Sequence, residues 1–259
     1  MAWYADWFDA EQYELVYRDR DTADAERLAA LIEREAKPAA DDTLLDVATG
    51  RGRHALVLAD RGHRIVGLDL APLAIATARR RAADAGLSGR ASFVLGDMRH
   101  LPFEPESFHG VINLFTSFGY FEAETDHVRT VREIARVLKP GGWLFQDVLN
   151  APYLREHLVP FDERVVDGVH VRQSRRIVDD APGGPRVEKI IVLRRGTGPP
   201  DTFLESVRLF DRADFDRLYR EAGLELEGTF GDYDGGPAGA DRPRLILHAR
   251  RPPRAPASR

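Results

Sequence analysis

The chain has 259 residues, 43% hydrophobic and 31% charged, with a formal net charge of −5 and no cysteine. A chain of this size buries a core without disulfides or a metal. Lacking thiols, it has no disulfides, zinc–thiolate sites or cysteine nucleophiles, its acidic balance argues against nucleic-acid binding, and no stretch approaches the ~20 apolar residues of a membrane span.

In chain order, the N-terminal aromatics Trp3, Tyr4, Trp7, Phe8, Tyr13 and Tyr17 fall on helical spacings and predict an amphipathic helix within a helical cap over residues 1–40. Acids lie among them and no apolar run follows, so the segment does not read as a signal peptide, and the cytoplasm is the expected compartment. DTLLDVA predicts a strand and RHALVLADRG a helix ending at Gly62; HRIVGLDL is a second strand. PLAIATARRRAADAG is a helix with Pro72 in its first turn and Gly86 past its end. ASFVLGD and the near-continuously apolar FHGVINLF are the third and fourth strands. TDHVRTVREIARVLKPGG predicts a helix stopping at Pro140-Gly141-Gly142, and WLFQDVLN a fifth strand. This alternation predicts an α/β fold: a doubly wound, Rossmann-like, mainly parallel seven-stranded sheet with a ligand at the carboxyl ends of its strands.

Beyond residue 150 the pattern changes. ERVVDGVHVRQSRRIVDD, PRVEKIIVLRRG and DTFLESVRLF read as three strands without intervening helices, a small antiparallel insertion over 151–210 after the core of 41–150. DRADFDRLYREAG returns to helix, capped by Asp211 and stopped by Gly223, and LELEGTFGDYDGG with PRLILHARR closes the core over 211–250. The tail, 251–259, is expected to be disordered.

Gly50, Gly52 and Ala55 satisfy the loose G-x-G-x-x-G/A spacing of a dinucleotide site, so an NAD-type dehydrogenase is one reading of this turn. The acids favour another. Asp46 lies in the first strand, Asp69 ends the second and Asp97 the third, bringing three carboxylates to one rim. A pyrophosphate is poorly served there, whereas a ribose, an adenine amino group and an ammonium all seek acceptors. S-adenosylmethionine carries those three groups and no phosphate.

LLDVATGRGRH, VGLDLA, GDMRHLPF, FHGVINLFTSFGYF and REIARVLKPGGWLF together resemble, in order and spacing, the motifs of the class I S-adenosylmethionine-dependent methyltransferases. The resemblance implies S-adenosyl-L-methionine as cofactor. It implies that Gly50 and Gly52 pass close under it, that Asp69 accepts from both ribose hydroxyls, and that Asp97 accepts from the adenine amino group with the Met98 amide facing the ring. Backbone carbonyls near Ala48 and Asn113 would receive the ammonium, with Asp46, Thr49, Leu70 and Leu114 alongside. Arg53 would meet the carboxylate, and Tyr13 or Tyr17 would reach the methionine end from the cap. One departure stands out: the family's first glycine is Ala48 here, for which a shifted loop is expected.

For the acceptor, exclusions help. NLFT replaces the N/D-P-P-Y/F of exocyclic-amine DNA methylases, and Asp147 and Asn150 are not the adjacent pair of metal-assisted catechol methylation, so no metal is expected. A small molecule methylated on nitrogen or oxygen remains, bound by Phe115, Ser117, Tyr120, Asn150, Tyr153 and Tyr233. Tyr120 stands where some amino-sugar N-methyltransferases carry a histidine, making it the candidate catalytic residue, although a phenol of pKa ~10 is a poor base. The GDYDGG loop, with Asp232, Tyr233 and Asp234, is a candidate lid wall. The insertion is expected either to cover this edge or to join two copies in a homodimer. Neither nucleic acid nor membrane is an expected partner.

Overall fold

The computed structural model describes residues 3–18 and 22–254. Seven strands form the main sheet in the order β10-β11-β5-β4-β1-β2-β3. These are β1 (Thr43–Val47), β2 (Arg64–Asp69), β3 (Ala91–Leu95), β4 (Phe108–Asn113), β5 (Leu138–Leu149), β10 (Glu225–Phe230) and β11 (Arg244–Arg250). Neighbours are parallel except that β11 runs against both β5 and β10. Strand order reverses between β1 and β4, where the carboxyl ends diverge and leave a crevice.

Helices cover both faces because successive strand side chains point to opposite sides. Leu44 joins one apolar cluster with α3 (Thr22–Ala36), α4 (Arg53–Asp60) and α5 (Pro72–Asp84), while Leu45 joins the other with α6 (Glu124–Val137) and α8 (Arg212–Ala222). Both leucines are fully buried, each contributing about 1.5–3 kcal/mol. Helix α5 opens on Pro72 and is followed by Gly86 at φ 70°. Helix α8 carries a capping box between Asp211 and Asp214 and stops at Gly223, φ 73°.

Three details differ from the pattern reading. Helix α6 ends at Val137, because Lys139 precedes Pro140 and that position disfavours helix; Leu138 is already extended and pairs with Phe108. A helix α7 (Ala151–His157) follows β5 directly. The first insertion strand is in fact two, β6 (Phe161–Val166) and β7 (Val169–Val178), joined by Asp167 and Gly168 at φ 48° and 74°. That Asp-Gly turn between apolar residues is the hairpin signal of its sequence. With β8 (Arg186–Arg195) and β9 (Asp201–Arg208), the insertion is a four-stranded antiparallel sheet, β6-β7-β8-β9.

The N-terminal helix is also two pieces, α1 (Trp3–Phe8) and α2 (Gln12–Val16). Their apolar side packs on the inserted sheet, Trp7 and Val16 meeting Val169, Val171, Ile191 and Leu193, whereas α3 belongs to the main core. In the tail, Arg251 and Arg254 pair with Glu106, so residues 251–254 are held; 255–259 lie outside the described residues.

Candidate functional site

The loop leaving β1 forms the floor of the crevice. Ala48 sits at φ 59°, Gly50 at 57° and Gly52 at 82°. A Cβ on Gly52 would press on Phe93 and Ala78 at 3.1 and 3.2 Å, so two constraints demand glycine there. At Gly50 no protein atom lies within 4 Å of such a Cβ; its left-handed backbone and the open space above it are the reasons for glycine. Ala48 keeps the left-handed conformation despite its methyl group, so the loop is strained at this residue.

Two carboxylates support this loop from below. Asp46, 2% exposed, accepts the Thr49 hydroxyl at 2.6 Å. Burial pushes its pKa up to about 7, with Thr49 opposing and the Asp69 charge assisting. Asp69 accepts from the Gly50 and Ala71 backbone N–H groups at 2.7 and 2.9 Å. Burial raises it too, against those bonds. At the end of β3, Asp97 is gripped by Arg99 at 2.6 Å, and Arg99 also reaches Asp126 at 2.9 Å. Burial alone would raise Asp97; the Arg99 bonds hold it below the usual carboxylate range.

An aromatic wall closes the crevice. Tyr4 and Phe8 line its narrow part together with Asp69, Leu70, Asp97, Met98, Tyr120 and Phe121. Its wider part, about 550 Å³, is bounded by Tyr13, Tyr17, Ala48, Thr49, Gly50, Arg53, Leu114, Phe115 and Ser117. Arg51, buried between the two glycines, donates to the Ala10 carbonyl at 3.1 Å, pairs with Glu14 at 3.2 Å and lies 5.0 Å over the Tyr13 ring. Arg53 stacks instead on Phe115 at 4.5 Å. Asn113 is wholly buried: its amide donates to the Val47 carbonyl and accepts from Gln146, which accepts from Tyr219.

Beside this crevice lies a second cavity of about 280 Å³ between the cap, the β4–α6 loop, α7 and the inner face of the inserted sheet. Apolar walls come from Trp3, Phe8, Leu154, Leu158 and Val207; the polar groups are Tyr17, Tyr120, Arg175, Lys189, Glu205 and Arg244. Phe115 and Thr116 share this wall at φ 58° and 61°, a conformation costly for bulky residues. Buried Asp147 holds them there. It accepts the Phe115 N–H at 2.9 Å and Arg244 at 2.7 Å, while Arg244 also donates to the Thr116 hydroxyl at 2.9 Å.

Residues 44–142 match the protein family described as a methyltransferase domain. Over 242 residues, 89% of this chain and 87% of the relative, the chain is 30% identical to the dTDP-3-amino-3,6-dideoxy-alpha-D-glucopyranose N,N-dimethyltransferase of Streptomyces fradiae. The chain belongs to the S-adenosylmethionine-dependent methyltransferases. The dTDP-3-amino-3,4,6-trideoxy-alpha-D-glucopyranose N,N-dimethyltransferase of Streptomyces venezuelae is 29% identical, the match covering 89% of this chain and 94% of that one. An amino pentose methyltransferase of Micromonospora echinaspora, solved with S-adenosylmethionine bound, aligns at TM-score 0.69 and 25% identity over 93% of this chain and 97% of the other. A Streptomyces caelestis methyltransferase shares the fold at TM-score 0.80 and 20% identity, over 95% and 98% of the two chains. None of these four is a dehydrogenase, and the dinucleotide reading of the glycine turn is set aside.

The crevice of this methyltransferase fits its cofactor on its own terms, with carboxylate acceptors at the ends of β2 and β3 and clear space above Gly50. The site brings together Tyr13, Tyr17, Ala48, Thr49, Gly50, Arg53, Asp69, Leu70, Asp97, Met98, Leu114, Phe115, Ser117 and Tyr120. It departs from the sequence reading elsewhere: Asp46 lies beneath the loop on Thr49 and not at the rim, and the Asn113 side chain is buried on Val47 and Gln146 and does not line the crevice. Asn150 is buried and donates to the Gly239 and Arg242 carbonyls at 2.8 and 2.6 Å. Tyr153 stacks on His157 at 4.0 Å, while Leu154 beside it and Leu158 just past the helix line the cavity. Tyr233 donates to Asp147 at 3.2 Å, and burial then this carboxylate raise its pKa. Asp234 pairs outward with Arg27 at 2.6 Å. Pattern reading missed Tyr4 and Phe8 as crevice walls, and Arg51, Arg99 and Arg244. Tyr4 and Phe8 carried a signal as members of the cap's aromatic pattern, and Arg51 and Arg99 lie inside the quoted motifs; Arg244 carried none.

Proposed function

We propose that this methyltransferase transfers the methyl group to the amine of a small molecule, an amino sugar or a close analogue, in the cytoplasm, with no nucleic-acid partner. The carrying observation is the cavity of about 280 Å³ beside the crevice. It has the size of a sugar-sized site, is roofed by the inserted sheet, and shares Phe8, Phe115 and Tyr120 with the walls of the crevice. A duplex or folded protein is too large to enter such a space. Two relatives named above act on dTDP-linked amino sugars, which supports an amino sugar as the acceptor class.

Bound S-adenosylmethionine supplies an activated methyl group for in-line displacement, and the chain's part is alignment. Asp69 and Asp97 orient the adenosine end, Tyr13 and Arg51 close over the crevice, and the strained Phe115–Thr116 wall sets the acceptor's distance. A neutral amine needs no strong base. Tyr120 fits a packing role better than that of a base, since its hydroxyl donates to the Thr116 carbonyl at 2.6 Å and its ring lies against Trp3, Tyr4 and Phe8.

The test is incubation with methyl-labelled S-adenosylmethionine and either dTDP-3-amino-3,6-dideoxyglucose or a metabolite extract, followed by mass identification. Label on an amine of a small molecule is the expected result; label confined to nucleic acid or protein overturns the proposal. We also propose a homodimer through the outer face of the insertion. There Phe161, Ile190 and Leu204, 52%, 44% and 40% exposed, form one cross-strand row with Ser174. Acid–arginine pairs flank the row, Glu163–Arg172 and Glu188–Arg176, a charge pattern that a second copy can complement. Sedimentation of Ile190→Asp as a monomer, against a wild-type dimer, checks it.

A further inference from the structure

The helices that close the crevice cannot hold themselves. Helix α1 has six residues and α2 five, well below the length at which an isolated helix persists in water. Their orientation over the crevice, with Phe8 and Tyr13 at its wall, must therefore come from tertiary contacts. Toward the main core Asp9 accepts the Leu73 N–H at 2.6 Å, Arg51 reaches the Ala10 carbonyl and Glu14, Arg81 pairs with half-exposed Glu14 at 2.8 Å, and the rings of Trp3, Tyr4 and Phe8 lie against Tyr120. Toward the inserted sheet they include a buried polar set.

Glu205, near the middle of β9, is the centre of that second set. One carboxylate oxygen accepts the Trp7 indole N–H at 2.7 Å and also the Tyr17 hydroxyl. Lys189 donates to the same hydroxyl at 2.6 Å and lies 3.4 Å from the other carboxylate oxygen. The side chains of Glu205 and Lys189 are only 15% and 12% exposed. By contrast, the Arg18–Asp167 pair that also ties the cap to the insertion is 50% and 58% exposed, where an ion pair contributes little. The two donors bracket one residue: the Tyr13 ring lies 5.4 Å from Trp7 and 4.9 Å from Tyr17. Trp7 is further locked against Phe203, two residues before Glu205 on the same strand, at 4.5 Å.

We propose that Glu205 is a positioning residue for the cofactor. Acting through Trp7 and Tyr17, it fixes α1 and α2 on the inserted sheet so that Tyr13 and Phe8 stand over the crevice. The insertion thereby holds the cofactor's lid, in addition to roofing the acceptor cavity. Loss of this tie should act on escape of bound cofactor more than on its arrival, because the tie restrains the closed arrangement.

The experiment uses the full chain and S-adenosylhomocysteine as probe, with dissociation rates from surface plasmon resonance and affinities from titration calorimetry. Glu205→Gln should raise the dissociation rate about tenfold with an association rate within about threefold of wild type. Trp7→Phe should raise it about threefold, and the double variant should be no worse than Glu205→Gln alone, since Trp7 acts through the carboxylate. Hydrogen exchange of the bound form should show lost protection over residues 3–17 with β1 unaffected. A merely structural role would instead lower the melting temperature of the unliganded chain and leave dissociation unchanged. An unchanged dissociation rate, or effects that simply add in the double variant, overturns the proposal. If Glu205→Gln does not fold, Trp7→Phe combined with Tyr17→Phe removes both donors and leaves the carboxylate; the same tenfold rise is expected, and its absence is equally decisive.

Discussion

Asp46 gives the sharpest test of how the cofactor crevice trades stability for function. The carboxyl group is buried in β1 with one side-chain donor, Thr49, and its pKa rises from an ordinary 3.8 to about 7. The unfolded chain releases this proton near pH 4, while the folded chain keeps it until about 7. Between those values the unfolded state binds fewer protons, so the contribution to stability is complete below about pH 4, falls as pH rises, and levels off above about 7. A separation of about three pKa units, at 1.36 kcal/mol each, makes the fall about 4 kcal/mol. Asp46→Asn keeps the shape and the acceptor for Thr49 but removes the charge; its new amide donor costs about 1–3 kcal/mol where it finds no partner. Relative to wild type, the variant should be less stable by that amount near pH 4 and more stable by about 2 kcal/mol near pH 8. Urea unfolding of the ligand-free chain across this range measures it directly, since midpoint shifts at constant slope report stability. Parallel pH profiles for the two proteins would show that Asp46 is ionised in the fold, refuting the reasoning.

Ala48→Gly should stabilise the chain by about 1 kcal/mol, because it relieves a non-glycine residue at φ 59°; a lower urea midpoint would show that the loop is not strained. Asp69→Ala removes the acceptor expected for the ribose and frees the Gly50 and Ala71 N–H groups, so S-adenosylhomocysteine affinity should drop by about 2–4 kcal/mol in calorimetry. Unchanged affinity with an intact circular dichroism spectrum would remove Asp69 from the site. Tyr120→Phe should lower stability by about 1 kcal/mol and the turnover rate by less than about tenfold, its proton being committed to Thr116; a loss above about a hundredfold would make it the base after all.

The fold was legible in the chain because its signals are local. Strand-length apolar runs alternating with helical periodicity, Pro72 and Gly86 bounding α5, and Asp211 and Gly223 bounding α8 each act within a few residues of their own position. The same holds for the cofactor motifs: Ala48, Gly50 and Gly52 form one turn, and Asp69 and Asp97 reach the rim because parallel strands in register end together. What tertiary structure alone decided is which side chain faces which. Asn150 and Tyr153 are placed by sequence at the acceptor edge, yet the first is drawn into the Gly239 and Arg242 carbonyls and the second stacks on His157 while its neighbour Leu154 lines the cavity. Arg244 reaches Thr116 across 128 residues, and Glu205 reaches Trp7 across 198. No spacing rule spans such distances: periodicity encodes the face a residue occupies within its own element, whereas the partner across a buried interface is set by how independently formed elements pack.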